Sequence, residues 1–116
     1  ALYQHCECLI FPVVPYKNDI EGFGIVAIES GAMGRPTVAF DVGGVGDAVI
    51  DGKTGYLIQE QDYTKFTKAI ISILSNYDFS NISKYIETRF NWIDLLNIYS
   101  YYFDRIIYND STSFIK

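Results

Sequence analysis

Glu21-Gly22-Phe23-Gly24-Ile25-Val26-Ala27-Ile28-Glu29 sets two carboxylates around a pair of glycines, with seven residues between them. Glycines ahead of a helix let the backbone come close to a ligand. The first N–H groups of that helix lack intrahelical partners and sit at the positive end of its dipole, so an anion such as a diphosphate is a natural guest. Glu21 could instead cap its own helix. Glu29 falls among Ile25, Val26, Ala27, Ile28 and Met33, where a carboxylate is costly unless it finds hydrogen-bond donors. Two sugar hydroxyls would satisfy it, because an ionised carboxylate accepts several bonds. A local backbone group or a basic side chain such as Arg35 would do so as well, and the residues alone leave both open.

A second Gly-rich stretch, Asp41-Val42-Gly43-Gly44-Val45-Gly46, has the composition of a ligand-facing loop. Cys6 and Cys8 form a C-x-C pair beside His5, the one histidine of the chain. A metal site needs further Cys or His ligands. The expectation is therefore two reduced thiols in or beside a core, in a cytosolic setting, with no metal. A net charge of −5 without a cluster of Lys or Arg argues against a nucleic-acid partner. No apolar run approaches the roughly 18 residues that a membrane span requires.

The elements that must position these residues follow from apolar patterning. Cys8-Leu9-Ile10-Phe11, closed by Pro12, reads as a strand buried on both faces of a parallel sheet, and a strand is expected to begin almost at the start of the chain. Residues 12–20 read as a loop. Residues 24–33 form a helix ended by Gly34. Pro36-Thr37-Val38-Ala39-Phe40 is a second buried strand, so this unit is βαβ with a right-handed crossover. Asp51-Gly52-Lys53-Thr54-Gly55 is a turn, and Tyr56-Leu57-Ile58 a third strand. Asp62 caps a helix that turns Phe66, Ala69, Ile70, Ile73 and Leu74 inward. A second helix covers 80–88 with Ile82, Tyr85 and Ile86 inward, and a last one covers 92–108. That last helix carries Leu95, Leu96, Tyr99, Tyr102, Phe103, Ile106 and Ile107, a stripe broad enough to need a partner. Residues 109–116 read as a tail.

At 116 residues, 49% hydrophobic and 16% aromatic, the chain is globular and amounts to one domain or part of one. Ala1 in place of Met predicts a trimmed or terminal piece of a longer protein. The fold class is α/β, a Rossmann-like open parallel sheet with flanking helices. Ligands of such sheets bind beyond the strands' carboxyl ends, and both Gly-rich loops fall at that edge.

The spacing E-x7-E, with its first Glu inside E-G-F-G, resembles the signature of the group-1 family of retaining, GT-B-fold glycosyltransferases. Further blocks resemble the family in order along the chain: Cys8 to Pro12, Gly34-Arg35-Pro36-Thr37-Val38-Ala39, Asp41-Val42-Gly43-Gly44, Asp51-Gly52-Lys53-Thr54-Gly55-Tyr56-Leu57-Ile58, and Arg89-Phe90-Asn91-Trp92. The resemblance implies that residues 1–108 are part of the carboxyl-terminal, nucleotide-sugar-binding domain, with residues 92–108 as its final helix.

The resemblance also implies roles. Glu21 would be the catalytic-site carboxylate beside the transferred sugar. The backbone at Gly22, Phe23, Gly24 and Ile25 would hold sugar and diphosphate, Glu29 would bind the ribose hydroxyls, and Gly43 and Gly44 would contribute from their loop. No cofactor or metal is implied, and the donor is an NDP-sugar. The basic residues that grip the diphosphate, and an amino-terminal acceptor domain packing on the 92–108 helix, would lie upstream, so the isolated chain is expected to be inactive. The setting implied is cytoplasmic, or peripheral at the inner membrane face. Departures from the pattern are Val13 after Pro12, a longer loop to Glu21, and Gly46-Asp47 in place of Pro-Glu. The alternatives are a non-catalytic nucleotide-sugar-binding or subunit-interaction module, and a dinucleotide-dependent oxidoreductase. The oxidoreductase lacks its G-x-G-x-x-G after a strand.

Overall fold

The computed structural model describes residues 2–17, 22–76 and 80–110. Its centre is Thr37-Val38-Ala39-Phe40, buried at all four positions because it is the middle strand of a sheet. This is β2 (Thr37–Phe40); it pairs in parallel with β1 (Leu9–Phe11) on one side and β3 (Gly55–Ile58) on the other. The helices are α1 (Ile25–Ala32), α2 (Val45–Ala48), α3 (Tyr63–Asn76), α4 (Ile82–Arg89) and α5 (Trp92–Asp110). The architecture is α/β and Rossmann-like, as the patterning predicts. Ahead of β1, Leu2–His5 forms a 3-10 turn, not the immediate strand expected. The short α2 inside the Gly-rich stretch is likewise unforeseen.

β1 departs from the expectation of burial on both faces. Leu9 and Phe11 pack on the core, whereas Ile10, pointing to the opposite face, is 51% exposed. Side chains alternate across a strand, and β1 is one of the two edge strands of the three-stranded sheet. The core gathers Val38, Ala39 and Phe40 with Val45, Ala48, Val49, Phe66 and Ala69. Phe40 stacks at a tilt on Phe66, with ring centroids 4.7 Å apart, and meets Tyr63 edge-on at 5.5 Å.

α1 ends as Gly34 takes a φ of 72°, the left-handed conformation that stops helices. It buries Ala27, Ser30 and Gly31. The missing side chain at Gly31 lets α4 close in: a Cβ there would stand 2.7 Å from Ile86 Cγ1. α4 accordingly buries Ile82 and Ile86. Tyr85, expected inward, lies at the flank of that stripe, exposed, with the Lys53 ammonium 5.4 Å over its ring. Leu74 of α3 is exposed for the same reason, while Phe66 and Ala69 are buried and Ile70 and Ile73 half-buried. Asp62 does cap α3, its Oδ1 accepting the Lys65 backbone N–H at 2.9 Å. That bond, with the Lys65 ammonium beside it, holds the Asp62 carboxyl below its ordinary range.

The turn into β3 is locked by side chains. Thr54 Oγ1 accepts the Ile50 N–H at 2.8 Å, and Asp51 Oδ1 accepts the Leu57 N–H at 2.9 Å. Thr54 is buried, so Thr54→Val keeps the shape but strips the Ile50 N–H of its acceptor. The expected loss is about 1–2 kcal/mol, read as a fall of about 5 °C in the melting temperature. α5 behaves differently from the other helices: every side chain from Trp92 to Tyr108 is exposed. The broad apolar stripe read from the sequence therefore stands open, and the helix runs on to Asp110. Residues 111–116 of the expected tail, and 18–20 of the expected loop, lie outside the described residues.

Candidate functional site

β2 runs out at Phe40 into Asp41-Val42-Gly43-Gly44, and Phe11 ends β1 on the same side of the parallel sheet. The chain returns to this edge at Gly22, where the two Gly-containing loops press together. A Cβ built on Gly44 would overlap the carbonyl oxygen of Gly22, stand 2.8 Å from its carbonyl carbon and 3.4 Å from Phe23 Cα. Of the predicted residues, Gly22 and Phe23 are thus brought against Gly44, whereas Gly24 faces Phe11. Glu21, and with it the question of whether it caps α1, lies outside the described residues.

Gly24 is the N-cap of α1 with φ 81°. A side chain here would be strained by that backbone and would meet Phe11 Cε1 at 3.0 Å. No side chain caps α1 among the described residues, and its first ladder bond is the short one from Ala27 N–H to Gly24 O at 2.9 Å. Beside this start lies an apolar groove of about 460 Å³ lined by Phe23, Ile25, Ile28, Phe90, Trp92 and Leu95, among others. Phe23 meets Phe90 edge-on at 5.9 Å. The Ile25 side chain belongs to this apolar surface, so only its backbone suits a diphosphate.

Glu29 requires a correction. It was expected as a carboxylate among apolar neighbours, but it is exposed. α1 turns Ala27, Ser30 and Gly31 to the core, whereas Ile25 and Glu29, one helical turn apart, share the outer face. The desolvation argument therefore does not apply. Glu29 Oε2 accepts a hydrogen bond from the Tyr3 hydroxyl at 3.0 Å. Arg35, the alternative basic partner, is engaged elsewhere: its Nε donates to Tyr3 O at 3.1 Å and its Nη2 to Gln4 O at 3.0 Å. Desolvation, then the Glu29 carboxylate beside it, pushes the Tyr3 hydroxyl above its ordinary value, so it remains protonated as the donor.

Cys6 and Cys8 are free, half-buried thiols. Burial, with Cys6 and Glu7 nearby, pushes the Cys8 thiol up, away from reactivity. Among the described residues no group of three or more His, Cys, Asp or Glu could hold a metal ion. A polar groove of about 560 Å³ at the carboxyl ends of β2 and β3 is lined by Asp41, Leu57, Gln59, Glu60 and Gln61. Sequence reasoning missed these last three, though their place directly after the third strand puts them at the ligand edge. It also missed Tyr3, which lies 26 residues from Glu29 and is tied to it by no spacing rule.

Residues 1–89 match the model of a family described as glycosyl transferases group 1. The matched stretch reaches the end of α4 and stops short of α5. An uncharacterized glycosyltransferase of Methanocaldococcus jannaschii is 34% identical over 86 residues, which is 71% of this chain and 24% of that protein. A D-inositol 3-phosphate glycosyltransferase of Geodermatophilus obscurus is 40% identical over 74 residues, 64% of this chain and 16% of its own length. A glycogen synthase of Mycobacterium tuberculosis is 34% identical over 76 residues, 66% of this chain and 17% of its own length. The chain thus spans about a quarter or less of these relatives.

Proposed function

The chain belongs to the glycosyl transferases of group 1, and on that premise we propose that it binds the nucleotide-sugar donor in a retaining sugar transfer. The observation that carries this reading is the meeting of Gly22 and Gly44 at the carboxyl edge of the sheet. There the glycines of the two loops and the start of α1, where no side-chain cap is found among the described residues, would let a diphosphate come close to the backbone. Glu21 would hydrogen-bond the transferred sugar and is the catalytic-site residue of this reading. Gly22, Phe23, Gly24 and Ile25 would hold the diphosphate through their backbone, and Gly43 and Gly44 would form the facing wall. Glu29, exposed on the outer face of α1, would accept the ribose hydroxyls. Charge developing on the leaving diphosphate would be met by the helix terminus and by basic side chains from outside this chain, without a metal.

α5 fits the same reading. Its open apolar face and the adjoining groove suit an acceptor-binding domain, because the curated relatives are at least about four times as long as the stretch they share with this chain. The isolated chain would then be inactive, with one wall of its cleft missing. No helix among the described residues is long and apolar enough to cross a membrane; the reading keeps the enzyme in the cytoplasm or at the inner membrane face.

The test is a melting-temperature screen of the full-length protein against UDP-, GDP- and ADP-sugars with EDTA present. One nucleotide class is expected to stabilise by about 2.7 kcal/mol at a hundred times its Kd. The sugar released to water or acceptor should keep the donor's anomeric configuration by NMR. No stabilisation by any NDP-sugar, or an inverted product, would overturn the proposal.

A further inference from the structure

We propose that Tyr3 is a positioning residue for the donor: its hydroxyl holds the Glu29 carboxylate in the orientation that receives the ribose, and Arg35 holds Tyr3. This inference rests on the reading of Glu29 as the ribose-binding carboxylate and adds to it what aims that group. An exposed glutamate on a helix samples several rotamers, and freezing them on binding costs free energy each time. Tyr3 O–H reaches Oε2 at 3.0 Å across 26 residues of sequence. One bond occupies one of roughly four acceptor positions on the carboxylate, so Oε1 and the remaining lone pairs stay available to two vicinal hydroxyls.

The anchoring of Tyr3 is the second, independent observation. The Leu2–His5 turn carries no buried residue and by itself would hold the phenol loosely. Arg35 lies just past the carboxyl end of α1, and its guanidinium clamps two successive carbonyls of the turn, Tyr3 O at 3.1 Å and Gln4 O at 3.0 Å. The fork geometry of arginine makes this a rigid, two-point grip that a lysine would not reproduce. Glu29 and Arg35, on and just beyond one helix, therefore reach back to the same turn and fix it relative to α1. Preorganisation of this kind favours binding by removing the ordering cost beforehand.

The experiment uses the full-length protein with its NDP-sugar donor and with the 2′- and 3′-deoxyribose analogues of that donor. Tyr3→Phe keeps the ring and removes only the hydroxyl. KM for the ribose donor should rise about 3- to 10-fold, the loss of one charge-assisted hydrogen bond at an exposed site, with kcat within about twofold. The deoxyribose donors, having already lost part of the contact, should show a smaller change. In a double-mutant cycle Tyr3→Phe should add nothing to Glu29→Ala, and Arg35→Lys should shift KM in the same direction. Equal effects of Tyr3→Phe on all donors would reduce Tyr3 to a packing residue, and tighter binding would make its hydroxyl a competitor of the ribose; either overturns the proposal. If Glu29→Ala acts while Tyr3→Phe does not, the positioning role alone fails. If Glu29→Ala leaves donor KM unchanged, the ribose reading fails and takes this inference with it.

Discussion

Gly44→Ala in the full-length protein is expected to lower kcat/KM for the donor by about 100-fold, the scale at which a shift of about 1 Å in a binding loop acts. The backbone at Gly44 has φ −90° and ψ 8°, which alanine adopts without strain, so the entire effect comes from contact. The new methyl would overlap the Gly22 carbonyl oxygen and crowd Phe23 Cα. These are backbone atoms, and no rotamer change can clear them; the loop ahead of α1 must move. Stability should fall by about 1–3 kcal/mol, the range for overpacking, leaving a folded protein with a displaced site. Gly46→Ala is the control: its Cβ meets only Asp41 Oδ1 at 3.3 Å and Leu57 Cδ1 at 3.9 Å. Steady-state kinetics with melting curves for both variants separates the two. Wild-type donor kinetics in a folded Gly44→Ala protein would mean that the loop contact has no part in the site.

Glu29→Ala is expected to raise donor KM by about 10- to 100-fold, since a hydrogen bond to a charged group is worth about 1.5–3 kcal/mol. Stability should scarcely change. Glu29 is exposed on α1, and alanine is at least as good a helix former. This separation of binding from folding follows from the structure; a buried Glu29, as the sequence suggested, would have coupled the two. Isothermal titration with the nucleotide-sugar and with the free nucleotide measures the loss directly. The ribose is common to both ligands, so both should weaken alike. A loss confined to the nucleotide-sugar would move Glu29 from the ribose to the sugar, and no loss at all would remove it from the site.

Much of the fold was legible because its signals are local. β2 announced itself as Thr37-Val38-Ala39-Phe40, and Gly34 marked the end of α1 through a left-handed φ. Asp62 capped α3 as its side chain allows. Errors arose where burial depends on neighbours far along the chain. Ile10, Leu74 and Tyr85 are apolar or aromatic and fit their stripes, yet each lies on a flank or face that no described element covers. Glu29 is exposed for the same reason. The apolar residues around it in sequence point to other sides of α1, and a list of neighbours along a chain is not a list of neighbours in space.

The amino-acid sequence by itself determined the parallel α/β class, the loops at the sheet edge and, through ordered blocks from Cys8 to Trp92, the family, whose model matches residues 1–89. Each of these is written in residue type and short-range spacing. Tertiary structure alone decided that Gly44 touches Gly22, that Tyr3 rather than Arg35 meets Glu29, and that α5 is left uncovered. Those facts depend on how separate segments pack and on which helix face turns to the core, and no periodicity within one segment encodes the partner it will meet.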